Sequence, residues 1–157
     1  DDSGSTFDGD GVLRNWWTEV DAEQFKARTA QLVEQYSGFK PFDDLNVNGE
    51  FTLGENIGDL GGLSIALLAY RISLDGKEAP VMDGYTGEQR VFLGYAQAWR
   101  YKYRDEALRM QIATDPHSPR MYRVNGVVRN IPEFYEAFDV KESDALYLPP
   151  GERVKIW

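Results

Sequence analysis

The stretch Leu53–Tyr70, LGENIGDLGGLSIALLAY, is the most apolar run in the chain, and it limits the fold more than any other feature. It predicts a helix over about 53–72, with Thr52 as N-cap and Glu55 at the third helical position, the spacing of a capping box. That arrangement accounts for Glu55, whose charge also suits the positive end of the helix dipole. Asp59 is harder to place. Four residues on, it lies about 40° round the same face, where like charges repel and raise each other's pKa unless a cation sits beside them. A positive group is therefore expected nearby. Gly58, Gly61 and Gly62 each cost a helix interior about 1 kcal/mol relative to alanine. Such a stripe predicts that another backbone lies almost against this helix.

Other helices follow from start and stop signals. Thr18 with Asp21 opens one that Gly38 closes, its inner face carrying Phe25, Leu32, Val33 and Tyr36. Thr86 with Gln89 opens another, running to about Tyr103, and Asp105 caps a short one holding Leu108 and Ile112. The segment TDPHSPRMYRVNGVV breaks the helical pattern and reads as a loop followed by an extended piece carrying Arg123. A last short helix fits NIPEFYEAF, with Asn130 as N-cap and proline in the first turn. With no repeat and no low-complexity linker, residues 1–157 read as a single, mainly α unit. A length of 157 residues and 42% apolar content suit one packed domain. The opening Asp1-Asp2-Ser3-Gly4, without Met or leader, is read as the start of a piece of a longer protein.

Charge and residue counts narrow the chemistry. A net charge of −9 with 17 scattered Lys and Arg does not make a nucleic-acid surface. No cysteine is present, so disulfides and thiolate metal sites are excluded and the compartment stays open, cytoplasmic and secreted or lipoprotein alike. No apolar run reaches the roughly 20 residues a membrane span needs. An EF-hand in FDGDGVLRNWW fails because Trp17 stands where a bidentate glutamate is required. GENIGDLGG lacks the Gly-Lys-Ser/Thr of a P-loop, and no Gly-x-Ser-x-Gly elbow offers a serine nucleophile. A zinc ion would supply the missing cation, with Glu55 as ligand and Asp59 orienting a ligand histidine. One histidine and no cysteine cannot complete a three-ligand site, so further ligands must come from another segment. That histidine, His117, sits between two prolines, with Asp115 close enough to hold one ring nitrogen. Arg123 carries a fork suited to a carbonyl or carboxylate. A histidine and an arginine without a nucleophile suit transition-state stabilisation and substrate anchoring. A structural histidine remains the competing account.

Glu55-Asn56-Ile57-Gly58-Asp59 resembles the Glu-Asn-x-x-Asp motif of the neprilysin-like zinc endopeptidases. Asp115-Pro116-His117-Ser118-Pro119 with Arg123-Val124-Asn125-Gly126 resembles the same family's second signature, and FDGDGVLRNWWT and the final VKIW extend the likeness across the chain. The resemblance implies the helical C-terminal part of a thermolysin-like zincin catalytic domain, mainly α with little β. It implies Glu55 as the third zinc ligand and Asp59 as support for a zinc-bound histidine, with Asn56 and Asp115 supporting. It implies His117 as stabiliser of the oxyanion and Arg123 as the group that binds a substrate carbonyl. The family's H-E-x-x-H helix, source of two zinc histidines and the general base, is not in this sequence. Its absence implies that the chain alone binds zinc weakly, lacks activity, and exposes a face that invites dimerisation. The missing cysteines of many animal members imply a bacterial source. The alternative is a non-catalytic binding or scaffold module on a degenerate peptidase fold.

Overall fold

The computed structural model describes residues 3–156, and Asp1, Asp2 and Trp157, which entered the sequence comparison above, lie outside them. The elements in order are α1 (Glu19–Ser37), α2 (Leu53–Ser73), α3 (Gly87–Ala98), α4 (Asp105–Thr114), α5 (Arg120–Val128), α6 (Pro132–Phe138) and a 3₁₀ turn at Pro150–Glu152. Strand pairing among the described residues is confined to isolated bridges such as Phe42 with Leu45. The chain is thus mainly α, as the start and stop signals predict.

Helix α2 is the axis. Its Ile57, Leu60, Leu63 and Leu67 are buried, and it packs on α5, α1 and α3, while α3 also packs on α6. Leu32 and Tyr36 of α1, Phe92 of α3, Val127 and Val128 of α5, and Val154 and Ile156 of the tail complete the core. Close approaches are made elsewhere: a Cβ would run into the Val33 carbonyl at Gly49 and the Tyr70 hydroxyl of α2 at Gly87, and would lie 2.7 Å from the Tyr36 ring at Gly126 of α5. Tyr36, fully buried, donates its hydroxyl to the Tyr122 carbonyl at 3.3 Å.

The glycines of α2 do something else. A Cβ at Gly58 or Gly62 would meet no atom within 4 Å, so inside this chain they serve no close approach, contrary to expectation. They share a helical face with Ile65, Leu68 and Ile72, which are 65%, 57% and 70% exposed. Beside that face a groove of about 560 Å³ runs between α2, Pro132 at the start of α6, and tail residues Arg153 to Ile156.

Several boundaries differ from expectation. The segment carrying Arg123 is helical, not extended, because Tyr122, Arg123, Gly126, Val127 and Val128 are buried against the rest of the chain and tertiary packing stabilises the helix. Helix α3 stops at Ala98, before Tyr103, and the chain turns so that the Trp99 ring meets Arg123. Asp105 is the first residue of α4 and not its cap. Asn130 does not cap α6, whose N-cap is Ile131. Its amide instead donates to Gln35 Oε1 (2.8 Å) and the Gly126 carbonyl (2.7 Å) and accepts from the Val154 N–H (2.7 Å), tying α1, α5 and the tail together. Thr18 caps α1 as expected, and Thr86 and Gln89 form a full capping box. Thr52 does not: its hydroxyl donates to the Asn48 carbonyl and accepts from Asn56 Nδ2, both at 3.0 Å, so Glu55 has no part in a cap.

Candidate active site

Freed from capping, Glu55 turns toward α5. The first turns of α2, the 115–119 loop and the first turn of α5 converge on one cluster, and the cation that two neighbouring acids require is Arg123. Its Nε donates to Asp59 Oδ2 at 2.5 Å and its Nη2 to Asp59 Oδ1 at 2.7 Å, a two-pronged pair, while Nη2 also reaches Glu55 Oε2 at 3.2 Å. The guanidinium lies 4.0 Å over the Trp99 ring, and the Tyr95 hydroxyl donates to the Arg123 carbonyl at 3.0 Å. No hydrogen bond is made by Nη1 among the described residues.

The pair is almost sheltered, with side-chain exposures of 11% for Arg123 and 9% for Asp59, whereas Glu55 is 43% exposed. Burial lifts the Asp59 pKa above the ordinary aspartate value; the Arg123 hydrogen bonds and charge pull the other way, and Glu55 adds to the rise. Burial works against the Arg123 charge, but the hydrogen bonds and charge of Asp59 outweigh it and raise the guanidinium further. Burial and the nearby Asp59 charge raise the Tyr95 phenol as well.

His117 stands between two carboxylates, with Nδ1 2.5 Å from Asp115 Oδ1 and Nε2 3.0 Å from Glu55 Oε2. Asp115 Oδ1 also accepts the His117 backbone N–H at 3.0 Å. The hydrogen bond from His117 holds the Asp115 carboxyl below its usual range. Behind the histidine, fully buried Ser118 donates to Asn56 Oδ1 at 2.8 Å, so a buried amide of α2 anchors the histidine loop. From α4, Gln111 Nε2 donates to the His117 carbonyl at 3.3 Å. Next to the cluster opens a pocket of about 310 Å³, with His117 and Arg123 in its wall beside Trp99, Tyr101, Gln111 and Arg120.

The structure thus brings together all six residues singled out from the sequence: Glu55, Asn56, Asp59, Asp115, His117 and Arg123. Ser118, Trp99 and Tyr95 also belong to the site. Ser118 carried a signal, a small hydroxyl locked between His117 and Pro119; the two aromatics carried none, because their positions depend on where α3 ends. Among the described residues no three His, Cys, Asp or Glu side chains are grouped to hold a metal ion. Glu55 fits as a single carboxylate ligand: its Oε2 accepts from Arg123 Nη2 and lies 3.0 Å from His117 Nε2, and the residue sits at the edge of the exposed face of α2.

The profile of peptidase family M13 matches residues 1–154. Neprilysin-1 of Caenorhabditis elegans is 41% identical over the whole chain, and neutral endopeptidase of Lactobacillus helveticus 38%. The solved structure of Mycobacterium tuberculosis zinc metalloprotease Zmp1 with an inhibitor superposes with a TM-score of 0.96 at 57% identity, over 100% of this chain and 25% of that one. PepO from a Lactobacillus superposes with a TM-score of 0.82 at 32% identity. The chain belongs to peptidase family M13. It spans 21% and 22% of the length of the two curated relatives.

Proposed function

We propose that this chain contributes one zinc ligand, the oxyanion donor and a substrate anchor to a zinc-dependent endopeptidase acting on short peptides, completed by other segments of a longer polypeptide. The observation that carries this is the position of Glu55: a helix-borne carboxylate, excused from capping, half-exposed and braced by His117 and Arg123. Zinc, when bound, supplies a Lewis acid and an activated water for hydrolysis of the peptide bond. Glu55 holds the metal with two histidines from an H-E-x-x-H helix that docks against Gly58, Gly62 and the exposed face of α2. Asp59, besides its pair with Arg123, orients one of those histidines. His117 donates from Nε2 to the oxygen that becomes negative as the scissile carbonyl turns tetrahedral, with Asp115 holding Nδ1. Arg123 Nη1, unspent among the described residues, binds a substrate carbonyl on the leaving-group side.

In the longer polypeptide, Glu55→Gln abolishes tight zinc binding and peptidase activity; retention of both refutes the assignment. His117→Asn lowers turnover while sparing the metal, so loss of zinc in that variant counts against its role. The chain by itself has no peptidase activity and only weak zinc affinity, and its uncovered α2 face drives self-association. Micromolar or tighter zinc binding by equilibrium dialysis would overturn that. The mutual satisfaction of Asp59 and Arg123 also suits a non-catalytic scaffold, and a parent polypeptide lacking H-E-x-x-H decides for it.

A further inference from the structure

Arg120, the first residue of α5, has a guanidinium 4.2 Å over the Tyr101 ring and makes no hydrogen bond or ion pair among the described residues. It is half-buried and faces the 310 Å³ pocket. Gln111 opens on the same pocket with a complementary fault: its Nε2 is used by the His117 carbonyl, but its Oε1 is buried with no partner. A buried acceptor without a donor costs about 1–3 kcal/mol, which a ligand N–H would recover. The remaining charges in the wall are already committed, Arg123 to Asp59 and Glu55, and Asp115 to the ring and backbone of His117.

We infer that Arg120 and Gln111 form a subsite for a carboxylate-bearing residue of the substrate on the Arg123 side of the scissile bond. The inference rests on the peptidase function proposed above. A peptide residue supplies both missing partners at once, a backbone N–H for Gln111 Oε1 and a carboxylate for the Arg120 fork. Tyr101, with Tyr103 at 4.6 Å between ring centroids, gives the stem of that residue an aromatic wall. The carboxylate is either the peptide's own C-terminus or an Asp or Glu side chain.

The test uses the longer M13 polypeptide and peptides of one sequence with a free C-terminus, an amidated C-terminus, or an amidated C-terminus with Gln replaced by Glu beyond the scissile bond. The wild type prefers a carboxylate form in kcat/KM, and whichever form it prefers names the source. Arg120→Ala lowers the carboxylate-to-amide ratio by about tenfold or more, through KM, as loss of a charged hydrogen bond requires. Arg120→Lys keeps the cation without the fork and retains part of the ratio, which covers the case in which the alanine variant does not fold. An unchanged ratio in Arg120→Ala, or a wild type indifferent to the carboxylate, overturns the subsite while leaving the peptidase assignment standing. A wild type that cleaves none of the peptides, nor any other short peptide, overturns both.

Discussion

Two helix starts in this chain carry the same local signature and end differently. Thr86 and Gln89 open α3 with a reciprocal capping box, the threonine hydroxyl on the Gln89 N–H at 3.2 Å and the glutamine on the Thr86 N–H at 2.9 Å. Thr52 and Glu55 have the same spacing at α2, yet neither half of the box forms. At α2 the threonine is engaged by Asn48 and Asn56, and the glutamate by His117 and Arg123. A cap is worth about 1 kcal/mol, and at α2 it is displaced by the sheltered hydrogen bonds that the Thr52 hydroxyl makes with Asn48 and Asn56. The α2 start gives up local order for a converging site. The α3 start has no such competitor and keeps its cap.

The largest effect that separates the two starts is expected from Arg123→Ala, which leaves Asp59 sheltered and unpaired at the α2 end. Removing one partner of a buried pair costs about 3–5 kcal/mol, read as a lowered urea midpoint. A cost below about 1 kcal/mol would place the α2 cluster on a par with an ordinary surface pair. Thr52→Ala follows, at about 1–3 kcal/mol, because Asn56 Nδ2 loses its acceptor in the core; Thr52→Ser, which keeps the hydroxyl, restores most of it. Thr86→Ala costs about 1 kcal/mol through the cap alone. Glu55→Gln, made in this chain without zinc, changes stability by less than about 0.5 kcal/mol, since the acid is half-exposed and caps nothing. If Glu55→Gln instead costs as much as Thr86→Ala, Glu55 is a structural residue and the contrast between the two starts collapses.

The smallest effect is electrostatic. Asp115 has its pKa held below the usual aspartate value by the His117 hydrogen bond, so its stabilising contribution is present above the unfolded-state pKa and is lost as the pH falls through the lower, folded-state one. Carboxyl chemical shifts followed from neutral pH into acid should place the Asp115 midpoint below the ordinary aspartate value. His117→Asn should return it toward that value; an unmoved midpoint would break the link between the two.

Much of this was legible in the chain itself. The Thr18 and Thr86 caps are local chemistry within four residues, so their helices start where the sequence places them. The paired acids of α2 demanded a cation, and Arg123 supplies it. That Arg123 lies on a helix was not legible, since the prolines before it and the β-branched residues after it read locally as extended; the burial of α5 overrides that preference. Asn130 suits a cap by type and position, but Gln35 and Val154, distant in sequence, and the Gly126 carbonyl of α5 claim its amide. The glycine stripe predicts close packing, whereas Gly58 and Gly62 face open space and the tight approaches are at Gly49, Gly87 and Gly126.

The sequence by itself determined the residue types of the site, their two spaced motifs and the helical frame, because capping and charge repulsion between near neighbours act over a few residues. Only the tertiary structure decided how those residues are shared. Whether Glu55 caps or faces the cluster, whether Arg123 pairs with Asp59, and whether Trp99 lies under its guanidinium depend on α2, α3 and α5 meeting. Such contacts gain their strength from burial, and no local stretch of sequence can bury itself.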